Sequence, residues 1–388
     1  MQRSKYCPQL SLHPAARLTT ALICAARQGN ADVISLLIQH GADADLADDD
    51  KETPLFFAEN ISATQELLRH GASVNHENHE GRTPLFRAKS SDQGQELLRQ
   101  GANVNHRDKC SKTALFDAIA KFRRDLVQFL ISNGADVNVY AKPGRAFGRW
   151  PVFEERVFSP LQQALRSFFK ASRLLPVTFK SVQVERLENY FEIIKLIVPL
   201  CSDFTFRINT GKIEPCVVQF FKAESKNGWH DPLVTKYLLR HGARADFSWF
   251  YDCIFSIKFE VNPFSEAFLK LVILAGCKFD KYFSELMSNP RWQPAHPENE
   301  SFLEPVQKLV MDLFSQPLSL QELSVMAIRK CICYPQLWAK IDALPVPILL
   351  KDNIKLKTYS GSGTTDFDFK CPAYAHRKLH FDVCTTIL

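Results

Sequence analysis

Histidine and cysteine are the residue types of this 388-residue chain that could bind metal or act as nucleophiles, but their spacing favours neither role. The two closest turn histidines, His76 and His79, lack the nearby cysteine pair that commonly completes a zinc site. Cys331 and Cys333 are too close to form a CxxC pair, and no G-x-S-x-G, Walker, HExxH or kinase signature occurs. We therefore expect a non-catalytic protein without a cofactor. A metal-dependent enzyme is the weakest alternative, which metal analysis would test. Most of the histidines considered lie at helix ends or in turns of different predicted repeats, which stack about 10 Å apart. They are His70, His76, His79, His106 and His241.

Charged residues that could bind a protein partner cluster in turn segments 48–52, 77–82 and 107–112. The first is rich in aspartate and includes Asp49, whereas the third is rich in lysine and arginine and includes Lys109. The potential therefore runs from acidic to basic, which would orient a partner of opposite gradient. The alternative interpretation is that turns are charged because they are solvated.

A longer segment, from Tyr140 to Phe158, combines arginine with aromatic residues, which dominate protein-binding hot spots. It makes one turn about thirteen residues too long for the repeat in which it lies. We expect it to bind a target protein, unless its aromatic residues fold back and cover the gap that the insertion leaves. The predicted target-binding residues in it are Arg145, Arg149, Trp150 and Phe153.

The elements that position these segments follow from a repeated pattern. Thr-Ala-Leu or Thr-Pro-Leu opens a unit at Thr20, Thr53, Thr83 and Thr113, in steps of 33, 30 and 30 residues. Gly-Ala followed by a polar turn closes a unit at Gly41, Gly71, Gly101 and Gly134. A period near 33 predicts stacked helix-turn-helix repeats, and such arrays are binding surfaces.

Each unit is predicted to contain two helices. The threonine hydroxyl should cap the first helix, and Leu55, Leu85 and Leu115 should face the core. The closing glycine ends the second helix in the left-handed conformation. The apolar stripe of that helix is Val33, Leu36 and Leu37 in unit one, and Leu126, Phe129 and Leu130 in unit four.

At these residues the chain resembles the ankyrin repeat family, which implies an all-α solenoid. Phe56, Phe86 and Phe116 stand where that family usually has histidine, and units two and three are three residues short. The resemblance is close over 18–145 and weaker over 146–285, where the openings lack Thr-Pro. We expect six or seven units in all, with a fifth unit whose helices are extended or split near 175–185.

The segment 317–356 predicts a separate three-helix module. Ser319 and Glu322 form a capping box, and the prolines of Leu344–Pro347 fix an extended backbone that holds Val346 outward. Helices are expected after Ser319, around Leu337 to Leu344, and over Ile348 to Ile354. So small a module needs a partner or the adjacent repeat to bury its apolar stripe. That stripe on the first helix includes Leu320, Leu323, Ser324, Ala327 and Ile328.

This segment resembles a SOCS box, and ankyrin repeats followed by a SOCS box are the layout of the ankyrin repeat and SOCS box family. The resemblance implies that the stripe binds elongin C and that Leu344, Pro345, Val346 and Pro347 choose the cullin. Ser324 replaces the family's cysteine, and burying its hydroxyl should weaken elongin binding by about 1 kcal/mol. An ordinary helical cap on the solenoid is the alternative interpretation.

Composition sets the remaining expectations. A net charge of +6 without a basic stripe argues against nucleic acid, and no apolar stretch reaches transmembrane length. Eleven scattered cysteines and the lack of a signal-like apolar run favour a reducing compartment, so we expect a cytoplasmic protein, with a nuclear pool allowed. Residues 286–316 read as a linker with a connecting helix, and 357–388 as a tail without an assigned role.

The resemblance implies an adaptor that binds a target through its repeats and binds elongin B/C with a cullin five-type scaffold and its RING protein. A plain ankyrin scaffold without ubiquitin chemistry is the rival function. Elongin binding by 317–356 would discriminate between the two.

Overall fold

The computed structural model of the chain describes residues 14–142, 158–173, 181–202, 204–207, 213–215, 233–243, 271–272, 274–275, 319–332 and 337–356. Helices and turns dominate these residues, and the predicted all-α fold is confirmed. One short antiparallel pair accompanies the helices, in which β1 (Thr205–Arg207) pairs with β2 (Ile213–Pro215). The chain divides into two compact units, which hold the described residues up to 164 and from 165 onward.

The first of these two compact units contains a stack of helical repeats, which are the repeat units one to four. The second helix of each repeat ends at glycine. Gly41, Gly71, Gly101 and Gly134 all have φ between +85° and +91°, as predicted. The amide after each glycine bonds a carbonyl five residues back, as from Ala42 to Leu37 at 3.0 Å. The helices are α1 (Pro14–Gln28), α2 (Ala31–Gln39), α3 (Ile61–Arg69), α4 (Ser91–Arg99), α5 (Ala114–Ala120) and α6 (Arg124–Ser132).

Units two and three lack a full first helix. Each has a single 3₁₀ turn in its place, Pro54–Phe57 and Pro84–Arg87, which corrects the prediction of two helices per unit. Three fewer residues remove almost one turn of α-helix, and a 3₁₀ turn needs only three residues per turn. The core is kept nonetheless, since Leu55, Leu85 and Leu115 are buried as predicted.

The prediction that a threonine hydroxyl caps the first helix of each repeat is wrong. Thr53, Thr83 and Thr113 precede the helices but make no side-chain cap bond. Their hydroxyls are buried without a hydrogen-bond partner among the described residues. The amide three residues on, as in Phe56, donates to the threonine's own carbonyl oxygen at 3.0 Å, so the hydroxyl does not receive it.

The second-helix stripe is confirmed in unit four and wrong in unit one. Leu126 and Leu130 are buried. Val33 and Leu36 of α2 are exposed, and Ile34 takes the core position instead. Among the described residues, α2 packs against α1 and α3, and these contacts leave Val33 and Leu36 uncovered.

The turns between units are joined by a ladder of side-chain to backbone hydrogen bonds. Asn75 donates through Nδ2 to the Gly101 carbonyl at 2.9 Å and accepts through Oδ1 from the Asn103 amide at 3.2 Å. Asn105 repeats the pattern one unit later, with Gly134. The polar residues of the Gly-Ala-x-x-x closings thereby fix the spacing of successive turns.

The base of the long insertion is closed by an antiparallel bridge. Ala141 and Phe158 exchange two backbone hydrogen bonds of 2.8 Å. The Phe158 ring is fully buried and meets Phe116 edge-on, with 5.4 Å between ring centroids. Residues 143–157 lie outside the described part of the chain.

The second compact unit, which holds the described residues from 165 onward, contains longer and less regular helices. The fifth repeat has α7 (Pro160–Arg173), which begins in the first unit, and α8 (Ser181–Ile197), which a 3₁₀ turn, Val198–Leu200, extends. These lengths agree with the prediction of extended helices. The later elements are α9 (Leu233–Arg240), α10 (Leu320–Cys331), α11 (Leu337–Asp342) and α12 (Ile348–Ile354).

Candidate functional site: the C-terminal helical module

The first helix of the C-terminal module, α10, begins at the predicted capping box. Ser319 Oγ accepts the Glu322 amide at 3.2 Å, and Glu322 Oε2 accepts the Ser319 amide at 2.9 Å. The inner side of the helix is formed by Glu322, Val325 and Arg329, all less than one tenth exposed. These positions are three and four apart, so they lie on one face.

The predicted elongin-binding stripe lies on the opposite face of α10 and is open to solvent. Leu323 is 50% exposed, Ser324 and Ala327 are exposed, and Ile328 is half-buried. The side chain of Leu320 lies outside the described side chains. The sequence alone did not decide between a buried stripe and an exposed one. The exposed side chains are an apolar surface available to a partner.

The three helices of the module share a small core. Leu337 and Ile341 of α11 are buried, as is Ile354 of α12. The Lys355 ammonium forms an ion pair with Asp342 and lies 5.3 Å from the centroid of the Trp338 ring. All three helices are confirmed, and α12 has the predicted bounds.

Arg329 fastens the module to α9, an earlier helix of the second unit. Its guanidinium donates to the Leu239 carbonyl at 2.8 Å and to the Arg240 carbonyl at 3.2 Å, at the C-terminal end of α9. A third bond of 2.8 Å goes to the Ile354 carbonyl at the end of α12. One cation thus satisfies carbonyls at two helix ends, where the helix dipole favours positive charge.

An aromatic stack completes this attachment. The His241 ring lies 4.2 Å from Trp338, nearly parallel, and 4.1 Å from Tyr237. Burial, together with the nearby cations of Arg329, Arg240 and Lys355, lowers the pKa of His241 to about 4, against the opposing effect of its hydrogen bond to the Tyr237 backbone. Its ring is therefore neutral at pH 7, with Nδ1 2.9 Å from the Tyr237 carbonyl. Burial also raises the pKa of the Tyr237 hydroxyl.

The predicted cullin-binding element lies between α11 and α12. Pro345 and Pro347 are exposed, whereas Leu344 and Val346 are half-buried, so the expectation that Val346 points outward is only partly met. The Val346 amide bonds the Leu344 carbonyl at 2.9 Å, a three-residue turn at Pro345. At Pro347 (φ −56°, ψ 149°) the backbone is extended in the predicted way.

Sequence reasoning missed two residues beside this element. Ile348 and Leu349 are 78% and 74% exposed in the first turn of α12. The sequence contained a signal for their exposure. Leu350 and Ile354 are four residues apart, so they lie on one face of the helix, and that face is directed to the module. Ile348 and Leu349 lie off that face. The two side chains extend the exposed apolar surface that begins at Pro345.

The predicted target-binding residues are only partly described. Asp49 and Lys109 are exposed at their turns, and the Lys109 amide donates to the Glu80 carbonyl at 2.9 Å. Other turn charges are buried, among them Glu52 and Asp108. The bond pattern of these turns neither supports nor opposes a partner. The insertion residues Arg145, Arg149, Trp150 and Phe153 lie outside the described residues.

The turn histidines have structural partners. His76 lies edge-on to Phe56 with 6.4 Å between centroids, and its Nε2 is 3.2 Å from the Lys51 carbonyl. His106 meets Phe86 in the same way at 6.3 Å. Within the described part of the chain, no cluster of three or more metal-ligating side chains occurs. None of the helices described there has the length and apolar character needed to cross a membrane.

Comparisons with known families agree with both parts of this architecture. A family model described as ankyrin repeats (3 copies) matches residues 6–76 and 58–141. A second model, described as SOCS box, matches residues 316–354. No curated protein matches the chain. The first match covers the regular repeats, and the second covers α10, α11 and α12.

Proposed function

We propose that this chain, which carries ankyrin repeats and a C-terminal SOCS box, is the substrate-recognition subunit of an elongin B/C–cullin–RING ubiquitin ligase. Ankyrin repeats bind proteins, and a SOCS box joins elongin B/C and cullin–RING components, so the chain has the general role of an adaptor. Both are non-catalytic adaptor domains. The identity of the ligase, with a cullin five-type scaffold, is part of the proposal.

The observation that carries the proposal is the two-sided character of α10. One face, with Val325 and Arg329, is used inside the chain. The other face presents Leu323, Ser324 and Ala327 to solvent. A helical cap with no other role would bury its apolar stripe, whereas an adaptor must leave it open for elongin C.

The attachment through Arg329 and Trp338 fixes the C-terminal module on α9. A module fixed to α9 by buried hydrogen bonds and ring stacking holds whatever binds its outer face in a defined position. In the proposed complex, transfer of ubiquitin is carried out by the RING protein and its charging enzyme. This chain raises the effective concentration of the target's lysines at that enzyme.

The cullin is proposed to bind the Leu344–Pro347 element and the neighbouring Ile348 and Leu349. These residues are separate from the stripe of α10, so elongin and cullin can contact the module together. We place the complex in the cytoplasm, with a nuclear pool allowed. Within the described part of the chain, Cys24, Cys110 and Cys201 form no disulfide, which suits a reducing compartment.

Substitution of Leu323 by aspartate tests the proposal. Because Leu323 is half-exposed, the change costs little folding stability, but it places a charge in an apolar contact. We expect elongin B/C affinity to fall by roughly 2 kcal/mol or more, about thirtyfold, in a titration with the purified full chain. The melting temperature should stay close to that of the wild type.

The matched control is Ala339→Asp, which adds the same charge at an exposed position of α11. It should leave elongin affinity unchanged. If Leu323→Asp binds elongin B/C as the wild type does, or if the wild-type chain does not bind it at all, the ligase role is wrong. The plain ankyrin scaffold would then be the better account.

A further inference from the structure

The side of the repeat array that carries the first helices has an unequal distribution of charge. The position four residues after each opening threonine is Phe57 in unit two, Arg87 in unit three and Asp117 in unit four. Arg27 of α1 lies over the Phe57 ring, 4.2 Å from its centroid. The side chains of successive units therefore follow one another along this side.

Five cations lie on or beside this column, and we call them the inner cationic surface: Arg27, Arg87, Lys89, Lys121 and Arg123. The Arg87 guanidinium bonds the buried Glu52 at 2.7 Å and keeps 44% of its side chain exposed. Lys89 is 41% exposed and is paired with Glu59, and Lys121 is 40% exposed. The surface is thus accessible although its members have protein partners.

Carboxylates near the inner cationic surface are fewer than the cations they face. Asp117 lies 3.5 Å from the Lys121 ammonium and 3.9 Å from Arg82, which also pairs with Asp108 and Glu80. Arg123 donates to the Ala88 carbonyl and to the Arg87 carbonyl at 3.4 Å, and the charges of Arg87, Asp117 and Glu59 all act on it.

The pKa directions of two of these cations agree with repulsion among neighbouring positive charges. Burial lowers the pKa of Lys121, and the positive charges of Arg123 and Arg87 lower it further against the effect of Asp117. Burial also lowers the pKa of Arg123, and the charge of Arg87 acts in the same direction against those of Asp117 and Glu59. Additional negative charge from outside the chain would relieve this repulsion.

We infer that the inner cationic surface binds an extended, acidic segment of the target protein, rich in aspartate and glutamate. This inference rests on the proposed function, because it names the chemistry of the target that the adaptor would hold. The cations span units one to four, about 30 Å at one helix diameter per unit. An extended chain covers that distance with about nine residues. Phe57, held under Arg27, offers an apolar contact between the charges.

A fluorescein-labelled peptide of nine glutamates is the probe, and its fluorescence anisotropy is measured with the purified full chain. The double variant Lys89→Glu and Lys121→Glu should weaken binding at least tenfold. The matched control is Arg69→Glu and Arg99→Glu, on α3 and α4, where the side chains are 70% and 71% exposed. It changes the net charge equally and should alter affinity less than twofold.

The neutral variant Lys89→Gln and Lys121→Gln keeps the test valid if the reversed charges disturb folding, and should weaken binding at least threefold with an unchanged melting temperature. Equal loss in the inner and control variants would overturn the inference, since only net charge would then matter. Tighter binding of a nine-nucleotide RNA than of the peptide would also overturn it. Elongin binding is expected in every variant, so failure here is separate from failure of the ligase role.

Discussion

At the scale of single residues, His241 lies at the contact between α9 and the C-terminal module. Its neutral ring lies between Tyr237 and Trp338, and it faces the cations of Arg329, Arg240 and Lys355. Protonation would add a positive charge to a site that already holds several. The stack therefore depends on His241 remaining uncharged.

A pH dependence follows from this environment. The pKa of His241 is lowered to about 4 in the folded chain, against about 6.5 when unfolded, so the unfolded state binds the proton more tightly. The stabilisation is complete above pH 6.5 and is lost as the pH falls toward 4, by roughly 3 kcal/mol in total. Hydrogen exchange of the α9 amides, corrected for its intrinsic pH dependence, should report this loss.

The control for this measurement is His241→Phe, which keeps an aromatic ring against Trp338 and cannot be protonated. Its overall protection is expected to be lower, because the bond to the Tyr237 carbonyl is removed. Its pH dependence between 6.5 and 4 should be flatter than that of the wild type. Identical slopes for the two proteins would show that other groups are responsible.

At the scale of elements, α12 has a buried face and an exposed face, and we propose a partner contact for the exposed one. Asn353 and Ile354 are buried and hold the helix to the module, while Ile348 and Leu349 are exposed. The short length of the helix places both faces within two turns. A partner at its N-terminal end would also contact the exposed Pro345 and Pro347.

The double variant Ile348→Ser and Leu349→Ser tests this role. Little burial is lost within the chain, so the melting temperature should stay within about 2 °C of the wild type. Cullin co-purification should fall at least tenfold, while elongin B/C is retained. Val33→Ser and Leu36→Ser, at exposed apolar positions of α2, provide the control and should retain both partners. Loss of elongin together with cullin would assign Ile348 and Leu349 to the elongin contact.

At the scale of the whole molecule, two surfaces are proposed for the target. The inner cationic surface belongs to units one to four, and the insertion emerges between units four and five. The bridge of Ala141 with Phe158 fixes where the insertion leaves the array. An acidic target segment could be held by the first surface, and the arginine and aromatic residues of the insertion would add a second contact.

The double variant Arg149→Ala and Trp150→Ala tests the insertion. A role in binding predicts loss of the co-purifying target with little change in melting temperature, because hot-spot side chains are exposed in the free protein. A packing role predicts a clear drop in melting temperature, because burial of the indole is lost. A variant that keeps both target and stability would remove the insertion from the binding surface.

The sequence by itself determined the features whose signals are local. Closing glycines at φ near +90°, the Ser319 capping box and the bounds of α12 all depend on residues within about five positions of one another. The core leucines were also predictable, because a fixed repeat period places them at equivalent positions. Both the repeat array and the C-terminal helical module could be predicted from such local signals.

Tertiary structure alone decided which faces are covered. Arg329 reaches the carbonyl of Leu239, 90 positions earlier, and that contact leaves Leu323 and Ala327 outside. Likewise, Val33 and Leu36 fit a helical stripe but are exposed, and the backbone carbonyls of the threonines accept the amides that their hydroxyls were expected to cap. Periodicity states that a helix has an apolar face, whereas burial depends on chain segments that periodicity does not locate.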